Sequence, residues 1–293
     1  MIKIWTEKHI HDLMVLPLMI FLVIMVAFPL AYTIYLSFTE WSMGTTPPLF
    51  IGIENYKDIL TEPDFWNATK HTLYIAFGSV AVEMLLGTGI ALALNRPFRG
   101  KNLVKTLFLL PMVATPIAVG MVWQLIYEPT LGIANHFLKM LHISPVLWLV
   151  NKNLVLNSII LIEVWEWTPM VMLIVLAGLA GIPNEIYESG KVDGAGPIKL
   201  TTRITLPMLT PTLVITALLR IIDALKTFDI IFATTQGGPL QASETVNLLA
   251  YRSIFNYFKM GHGAALLLCF LIEIGLCCAL IVILRRKVRE KLS

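Results

Sequence analysis

The sequence has 293 residues, of which 57% are apolar and only 14% are charged. Soluble domains are about 45–50% apolar and about 25% charged, so this composition excludes an ordinary soluble globule and, more firmly, a disordered chain. The formal net charge of +3 is too small to indicate a nucleic-acid partner, and only three cysteines, all late in the chain, exclude a disulfide scaffold and a Cys-based zinc site.

Six apolar stretches are long enough to cross a bilayer as helices, which takes about 20 residues. In hydrocarbon every backbone N–H and C=O group must be bonded within the protein, and the sequence lacks the alternating segments of a membrane β-barrel. We therefore predict an all-α, polytopic membrane protein with six transmembrane helices. The predicted spans are 13–38, 70–94, 103–127, 154–180, 208–231 and 263–284.

The first stretch is longer than the apolar region of a signal peptide, which has about 7–15 residues, so we expect an anchor that is not cleaved. An acidic, turn-rich loop follows it and is too short for a domain. A second polar stretch, which we call the polar loop, separates the fourth and fifth spans. The predicted organisation is an N-terminal segment 1–12, a first transmembrane helix 13–38, an external loop 39–69, a five-helix core 70–284 that includes the polar loop 181–207, and a basic tail 285–293.

Lysine and arginine predict the orientation, because they are enriched in cytoplasmic loops. With the N-terminus inside, fourteen of the 22 lie in inside segments and six in outside segments. Both termini and the polar loop are therefore expected to be cytoplasmic. The basic run Arg285–Lys287 is interpreted as an orientation determinant, with an anionic-lipid or regulatory site as the alternative. The pair His9 and His11 is expected to be solvated rather than bound to a metal.

The sequence carries no pattern of a membrane enzyme. It has no His-Glu-x-x-His zinc motif and no Gly-x-Ser-x-Gly elbow, and the glycines and lysine of 194–199 lack Walker A spacing. Cys269, Cys277 and Cys278 lie in the sixth span and are expected to pack there as small apolar residues. We therefore predict no catalytic residue, no metal and no cofactor. Uphill transport would take its energy from an ion gradient or from a partner.

The polar loop has the sequence signals of two short helices. Pro183 suits the first position of one helix, and Pro197 suits the start of the second. Gly194 and Gly196 permit the positive φ of a tight reversal between them. Gly190, in the middle of the first helix, costs about 1 kcal/mol relative to alanine, which we expect to be offset by the close approach of a partner surface. The alternative is an amphipathic helix that rests on the lipid.

The polar loop also resembles the EAA motif of ABC-importer permeases. That motif reads Glu-Ala-Ala, three residues, Gly, nine residues and Ile-x-Leu-Pro. Here Ser189 and Gly190 stand in place of the two alanines, which keeps both residues small. The residues that form or flank the match are Glu185, Glu188, Ser189, Gly190, Asp193, Gly194, Ile204, Leu206 and Pro207.

The resemblance extends over most of the chain. Segments 165–169 and 220–229 are similar to those of the carbohydrate-uptake branch, and the stretch 234–239, continuing to Thr245, is similar to that of the first permease of such pairs. The resemblance implies a type I importer permease with the MetI-like bundle in the inner membrane. The implied partners are a second permease subunit, a dimer of ABC ATPase subunits that hydrolyses the ATP, and an extracytoplasmic solute-binding protein. The EAA helix, marked by Glu188 and Gly194, would dock into a cleft of the ATPase.

Several ionisable residues lie within the predicted spans, where charges are costly and usually face the interior of the bundle. Arg220, Asp223 and Lys226 recur every three residues and so share one helix face. They form either a solute-facing stripe or a salt-bridge ladder that neutralises itself. The carboxylates in the other spans are Glu83, which stands alone in the second, and Glu163 and Glu166 in the fourth.

The predicted function is passage of a sugar or sugar-like solute into the cytoplasm by alternating access. Oligosaccharide, polyol and glycerol phosphate remain open. By the resemblance, solute contacts come from the spans on either side of the polar loop, and the predicted pathway residues are Trp167, Arg220, Asp223 and Thr227. The alternatives are a gradient-driven carrier, which leaves the EAA match unexplained, and an intramembrane enzyme, which lacks a reactive constellation.

Overall fold

The computed structural model describes the backbone of residues 2–44 and 47–292 and the side chains of residues 14–44 and 47–283. The histidine pair at 9 and 11 and the basic run at 285–287 therefore lie outside the described side chains, as do the charges that flank them. The predictions made for these groups stay predictions.

Helices account for nearly all regular structure in the described residues. The long helices are α1 (Ile2–Ser37), α3 (Pro63–Leu94), α7 (Val155–Ala180), α10 (Leu206–Leu225) and α13 (Met260–Leu292). The short ones are α2 (Glu54–Thr61), α4 (Lys101–Val113), α5 (Pro116–Ile126), α6 (Ile133–Met140), α8 (Asn184–Val192), α9 (Pro197–Leu200), α11 (Asp229–Thr234) and α12 (Val246–Tyr251). Two strands of two residues, β1 (Thr39–Glu40) and β2 (Leu49–Phe50), pair antiparallel.

The described residues contain five helices that are long and apolar enough to cross a membrane, or six crossings if the bent pair α4–α5 is counted as one. The prediction of an all-α membrane protein is therefore confirmed. Helix α7 matches the predicted fourth span within one residue, whereas α3 begins at Pro63, inside the predicted external loop. The spans are Met14–Ser37, Pro63–Leu94, Val155–Ala180, Pro197–Leu225 and Met260–Ile283.

The third predicted span, 103–127, is not one helix. Helices α4 and α5 meet at an angle of 96°. Thr115, which precedes Pro116, has φ −72° and ψ 139°, because the proline ring excludes the helical region for the residue before it. The two helices have 13 and 11 residues, about 20 and 16 Å at 1.5 Å per residue, so neither crosses about 30 Å of hydrocarbon alone.

The fifth predicted span, 208–231, begins and ends too late. Helix runs without a break from Pro197 to Leu225, so the second short helix of the polar loop is the start of this span. A π-helical turn at Thr201–Thr205 joins α9 to α10, and the Leu206 N–H bonds to the Thr201 carbonyl five residues back. Because of this wider turn, the helix continues through Pro207, although proline has no N–H to donate to the preceding turn.

The chain divides into two compact units. One comprises the residues up to Pro63 together with Leu249–Ile272. In this unit the apolar side chains of α1 from Met14 onward are largely exposed, as expected for a helix that faces lipid. The Asn55 side chain donates hydrogen bonds to the carbonyls of Ser37 and Thr39, at 2.9 and 3.0 Å, and so fixes the chain where α1 ends.

The other unit comprises Asp64–Leu248 and the residues from Glu273 onward. Its core lies between α3, α7 and α10, where the apolar faces of these helices interlock. Gly87 of α3 is buried against α7, and a Cβ at this position would lie 2.6 Å from Val171 Cγ1 and 3.1 Å from the Met172 backbone nitrogen. The main core residues are Ala91, Leu94, Val171, Met172, Val175, Leu179, Ile182 and Leu209.

Gly87→Leu is therefore expected to separate α3 from α7 and to destabilise the protein by about 1–3 kcal/mol or more, the usual cost of overpacking. Gly89→Leu is the matched control, because nothing lies within 4 Å of a Cβ at Gly89. Thermal unfolding of the purified protein in detergent measures both. Equal melting temperatures for the two variants would contradict this packing.

Candidate functional site

Helix α8 of the polar loop ends in a hydrogen-bonded glycine turn. The Ala195 N–H bonds to the Gly190 carbonyl at 2.9 Å, and the Gly194 N–H bonds to the Lys191 carbonyl at 3.0 Å. Gly194 has φ +74°, which completes a Schellman motif and explains why the EAA pattern has glycine here. Gly196, which could also take a positive φ, has a φ of −69°, so Gly194 alone makes the reversal.

Gly190 has a packing role inside the polar loop. A Cβ at this position would lie 2.8 Å from both Ile204 Cδ1 and Leu200 Cδ2. Gly190 is buried in the chain itself. Its small size therefore lets α8 fold back against the start of the fifth span, which corrects the expectation that it leaves room for a partner.

The polar loop presents both charged and apolar side chains outward. Val192 and Ile198, on either side of the glycine turn, are 88% and 78% exposed. The Ser189 hydroxyl bonds back to the Glu185 carbonyl at 2.9 Å. The predicted motif residues divide by exposure: Glu185, Glu188, Ser189, Asp193, Gly194 and Pro207 are exposed, Ile204 and Leu206 are half-buried, and Gly190 is buried.

A cavity of about 670 Å³ lies beside the polar loop, which we call the loop cavity. Arg96 and Lys191 line it, together with the hydroxyls of Tyr187, Thr201 and Thr205. Its lining contains cations and neutral donors but no carboxylate. The loop cavity thus gives one side of the polar loop a positive character.

A buried ion pair joins α3 to α10. Arg220 Nε lies 2.7 Å from Glu83 Oε2, and Arg220 Nη2 lies 3.1 Å from Glu83 Oε1, so the pairing is bidentate. The two side chains are 1% and 0% exposed. The same guanidinium lies 3.6 Å from a Glu163 oxygen and 4.7 Å from the centre of the Trp167 ring. Glu83, which stands alone in the sequence pattern, is the main partner of Arg220.

Thr227 and Glu163 form the second contact of this cluster. The Thr227 hydroxyl donates to Glu163 Oε1 at 2.8 Å, whereas Glu163 Oε2 has no hydrogen-bond partner among the described atoms. Asp223 and Lys226 form an exposed pair with a distance of 3.4 Å between Lys226 Nζ and Asp223 Oδ1. The predicted salt-bridge ladder of Arg220, Asp223 and Lys226 therefore does not form as one chain of contacts. Arg220 pairs with Glu83 of α3, and Asp223 pairs with Lys226.

The four predicted pathway residues line one cavity of about 320 Å³, which we call the charged cavity. This volume is at the lower end of the range for small-molecule pockets, about 300–1,000 Å³. Three further charged residues, which were not among the predicted pathway residues, also line this cavity: Glu163, Lys226 and Asp229. The structure therefore brings Trp167, Arg220, Asp223 and Thr227 together.

Glu166 lies one turn from Glu163 on α7 and is buried. Neither of its carboxylate oxygens has a hydrogen-bond partner among the described atoms. The described residues contain no group of three or more His, Cys, Asp or Glu side chains placed to hold a metal ion. The arrangement offers hydrogen-bond acceptors, the aromatic rings of Trp167 and Phe228 and paired cations, which are groups that can bind a solute.

Comparison with known proteins gives a family match over most of the chain. Residues 84–292 match the family model described as binding-protein-dependent transport system inner membrane component. The trehalose/maltose transport system permease protein MalF of Thermococcus litoralis is 35% identical over 257 residues, which cover 88% of this chain and 86% of the relative. The sulfoquinovosyl glycerol transport system permease protein SmoG of Agrobacterium fabrum is 31% identical over 261 residues, with 89% and 85% covered.

A solved structure shows the same fold. One chain of a bacterial ABC transporter involved in the import of the acidic polysaccharide alginate superposes with a TM-score of 0.84. The match covers 98% of this chain and 99% of that chain at 21% sequence identity. The fold predicted from the sequence, a type I importer permease bundle, is thereby confirmed.

Proposed function

Because the chain belongs to the family of binding-protein-dependent transport system inner membrane components, we propose that it is the permease subunit of an ATP-driven importer of a sugar or sugar-like solute. The names of the two relatives, one for trehalose and maltose and one for sulfoquinovosyl glycerol, support a solute of this class. The solute would come from an external binding protein and pass into the cytoplasm. The chain itself would hydrolyse nothing.

The exposed end of the polar loop carries the proposal. Val192 and Ile198 expose most of their apolar surface at a turn whose backbone is fixed by Gly194. Large exposed apolar side chains beside charged ones are typical of a surface that binds another protein. In this proposal the polar loop is cytoplasmic and docks into an ABC ATPase dimer, and Glu185, Glu188 and Asp193 form the polar rim of the contact.

Transport would proceed by alternating access. Closure of the ATPase dimer on ATP moves the polar loop as a rigid body, because a continuous helix links it to the fifth span. The spans then exchange an outward opening for an inward one. ATP and solute each bias this equilibrium only to the extent that they bind one state better than the other. A second permease subunit would complete the pathway, and the charged cavity would form this chain's part of it.

The proposal is tested with the assembled transporter in proteoliposomes. Uptake of a labelled maltose or trehalose series, with binding protein outside and ATP inside, is expected to stop when the ATPase carries a hydrolysis-deficient substitution. Ionophores that collapse ion gradients are expected to leave uptake unchanged. Uptake that survives loss of ATP hydrolysis but stops with ionophores would identify a gradient-driven carrier instead.

A further inference from the structure

The two cations in the wall of the charged cavity are already paired within the protein. Arg220 gives two hydrogen bonds to Glu83, and its guanidinium lies over the Trp167 ring. Lys226 Nζ lies 3.4 Å from an Asp223 carboxylate oxygen. The pair with Glu83 uses two of the five N–H groups of Arg220 and offsets its charge, so Arg220 attracts an incoming anion less than an unpaired cation would.

The carboxylates of the cavity outnumber these cations. Glu163, Asp223 and Asp229 line it, and Glu83 lies behind Arg220. Four carboxylates against two cations give the cluster a formal charge of −2. An anion that enters such a site loses its hydration and meets like charge, whereas a neutral solute loses much less.

Glu163 gives this negative wall a specific use. Its side chain is 2% exposed and lines the cavity, and Thr227 satisfies only Oε1. Oε2 lies 3.6 Å from Arg220 Nη2, beyond hydrogen-bond distance, and has no hydrogen-bond partner among the described atoms, so it can still accept a hydrogen bond. Solute hydroxyl groups donate, whereas ionised phosphate, sulfonate and carboxylate groups only accept.

We propose that the charged cavity selects neutral, hydroxyl-rich solutes and rejects solutes that carry a phosphate, sulfonate or carboxylate group. Glu163 accepts a hydrogen bond from a solute hydroxyl group, and Glu83 is a positioning residue that offsets the charge of Arg220 at the cavity wall. The inference rests on the proposed transport function and narrows its solute class. Of the solutes left open by the sequence, it retains neutral sugars and polyols and excludes glycerol phosphate.

The test measures the charge preference of the cavity directly. Thr227→Cys is introduced into the assembled transporter, with Cys269, Cys277 and Cys278 replaced by alanine. Its rate of modification is measured with a neutral hydroxyethyl and an anionic sulfonatoethyl methanethiosulfonate. After division by the rates at Leu240→Cys, which replaces a side chain that is 92% exposed, the neutral reagent is expected to react at least about tenfold faster. Equal rates, or no reaction with either reagent, would overturn the proposal.

Substitutions of the carboxylates that face Arg220 then test whether the charge of the cluster causes this preference. Glu83→Gln removes the main partner of Arg220 and, in a preparation that is folded at the assay temperature by thermal unfolding, is expected to speed the anionic reagent at least fivefold while changing the neutral rate less than twofold. A purely structural role for Glu83 would change both rates alike. If Glu83→Gln does not fold, Glu163→Gln removes one carboxylate and is expected to shift the ratio in the same direction. No shift in either variant overturns the inference, whereas the labelling outcome does not depend on whether uptake requires ATP.

Discussion

Arg220→Met is expected to destabilise the protein by about 3–5 kcal/mol, the usual result of removing one partner of a buried ion pair. The substitution leaves Glu83 buried without its bidentate partner and Glu163 without its nearest cation. Methionine keeps most of the side-chain volume, so the loss reports on charge rather than on a cavity. Thermal and denaturant unfolding of the purified complex measure it.

The matched variants separate pairing from packing. Glu83→Gln alone is expected to be nearly as damaging as Arg220→Met, and the double variant is expected to recover much of the loss, which gives a large coupling energy in the double-mutant cycle. Lys226→Ala breaks a pair whose side chains are 53% and 45% exposed and should change stability by no more than about 1 kcal/mol. Strict additivity of the two buried substitutions would contradict a direct ion pair.

Val192→Asp is expected to weaken binding of the ATPase about tenfold or more, because it introduces a charge at the centre of the proposed docking surface. The side chain is 88% exposed, so the permease itself should fold and insert normally. ATP-dependent uptake is expected to fall accordingly. Copurification of the ATPase with the tagged chain, together with uptake in proteoliposomes, measures the effect.

Gly194→Val disturbs the same surface by another route. A β-branched residue at φ +74° is strained by about 1–2 kcal/mol, so the turn that positions Val192 and Ile198 should open. Leu131→Asp is the control, since it places the same charge at a side chain that is 90% exposed in a different loop. If Val192→Asp and Gly194→Val both kept full uptake and full ATPase binding, the proposed docking of the polar loop into the ATPase would be contradicted.

Hydropathy predicts the spans well because it averages over about 20 residues, but it does not register a sharp bend. The bend before Pro116 has no clear counterpart in composition, because prolines also occur inside continuous helices of this chain. Pro29, Pro169 and Pro211 are examples. In membrane helices neighbouring groups compensate for the lost hydrogen bond, so proline alone does not predict a break. Similarly, the helical turn past Pro207 depends on one π-type hydrogen bond rather than on residue type.

The candidate sites differ in how far the sequence predicts them. Gly194 is predictable, because its role in the glycine turn is local and depends on its own φ. The partner of Arg220 is not, because Glu83 lies 137 residues earlier and the helix register alone suggests Asp223 and Lys226 as neighbours. Spacing along one helix defines a face, but it does not identify the helix that packs against that face. The presence of Glu163 and Asp229 in the wall of the charged cavity also depends on how the helices pack, so the sequence does not predict it.

The most direct test of the account is labelling of Val192→Cys, in a background without the native cysteines, by a membrane-impermeant thiol reagent. If the polar loop is the cytoplasmic docking site for an ATPase, the cysteine should react in inside-out vesicles stripped of the ATPase, be protected when the ATPase is added back, and stay unreactive in intact cells. Labelling from outside intact cells, or unchanged labelling with the ATPase bound, would contradict the account.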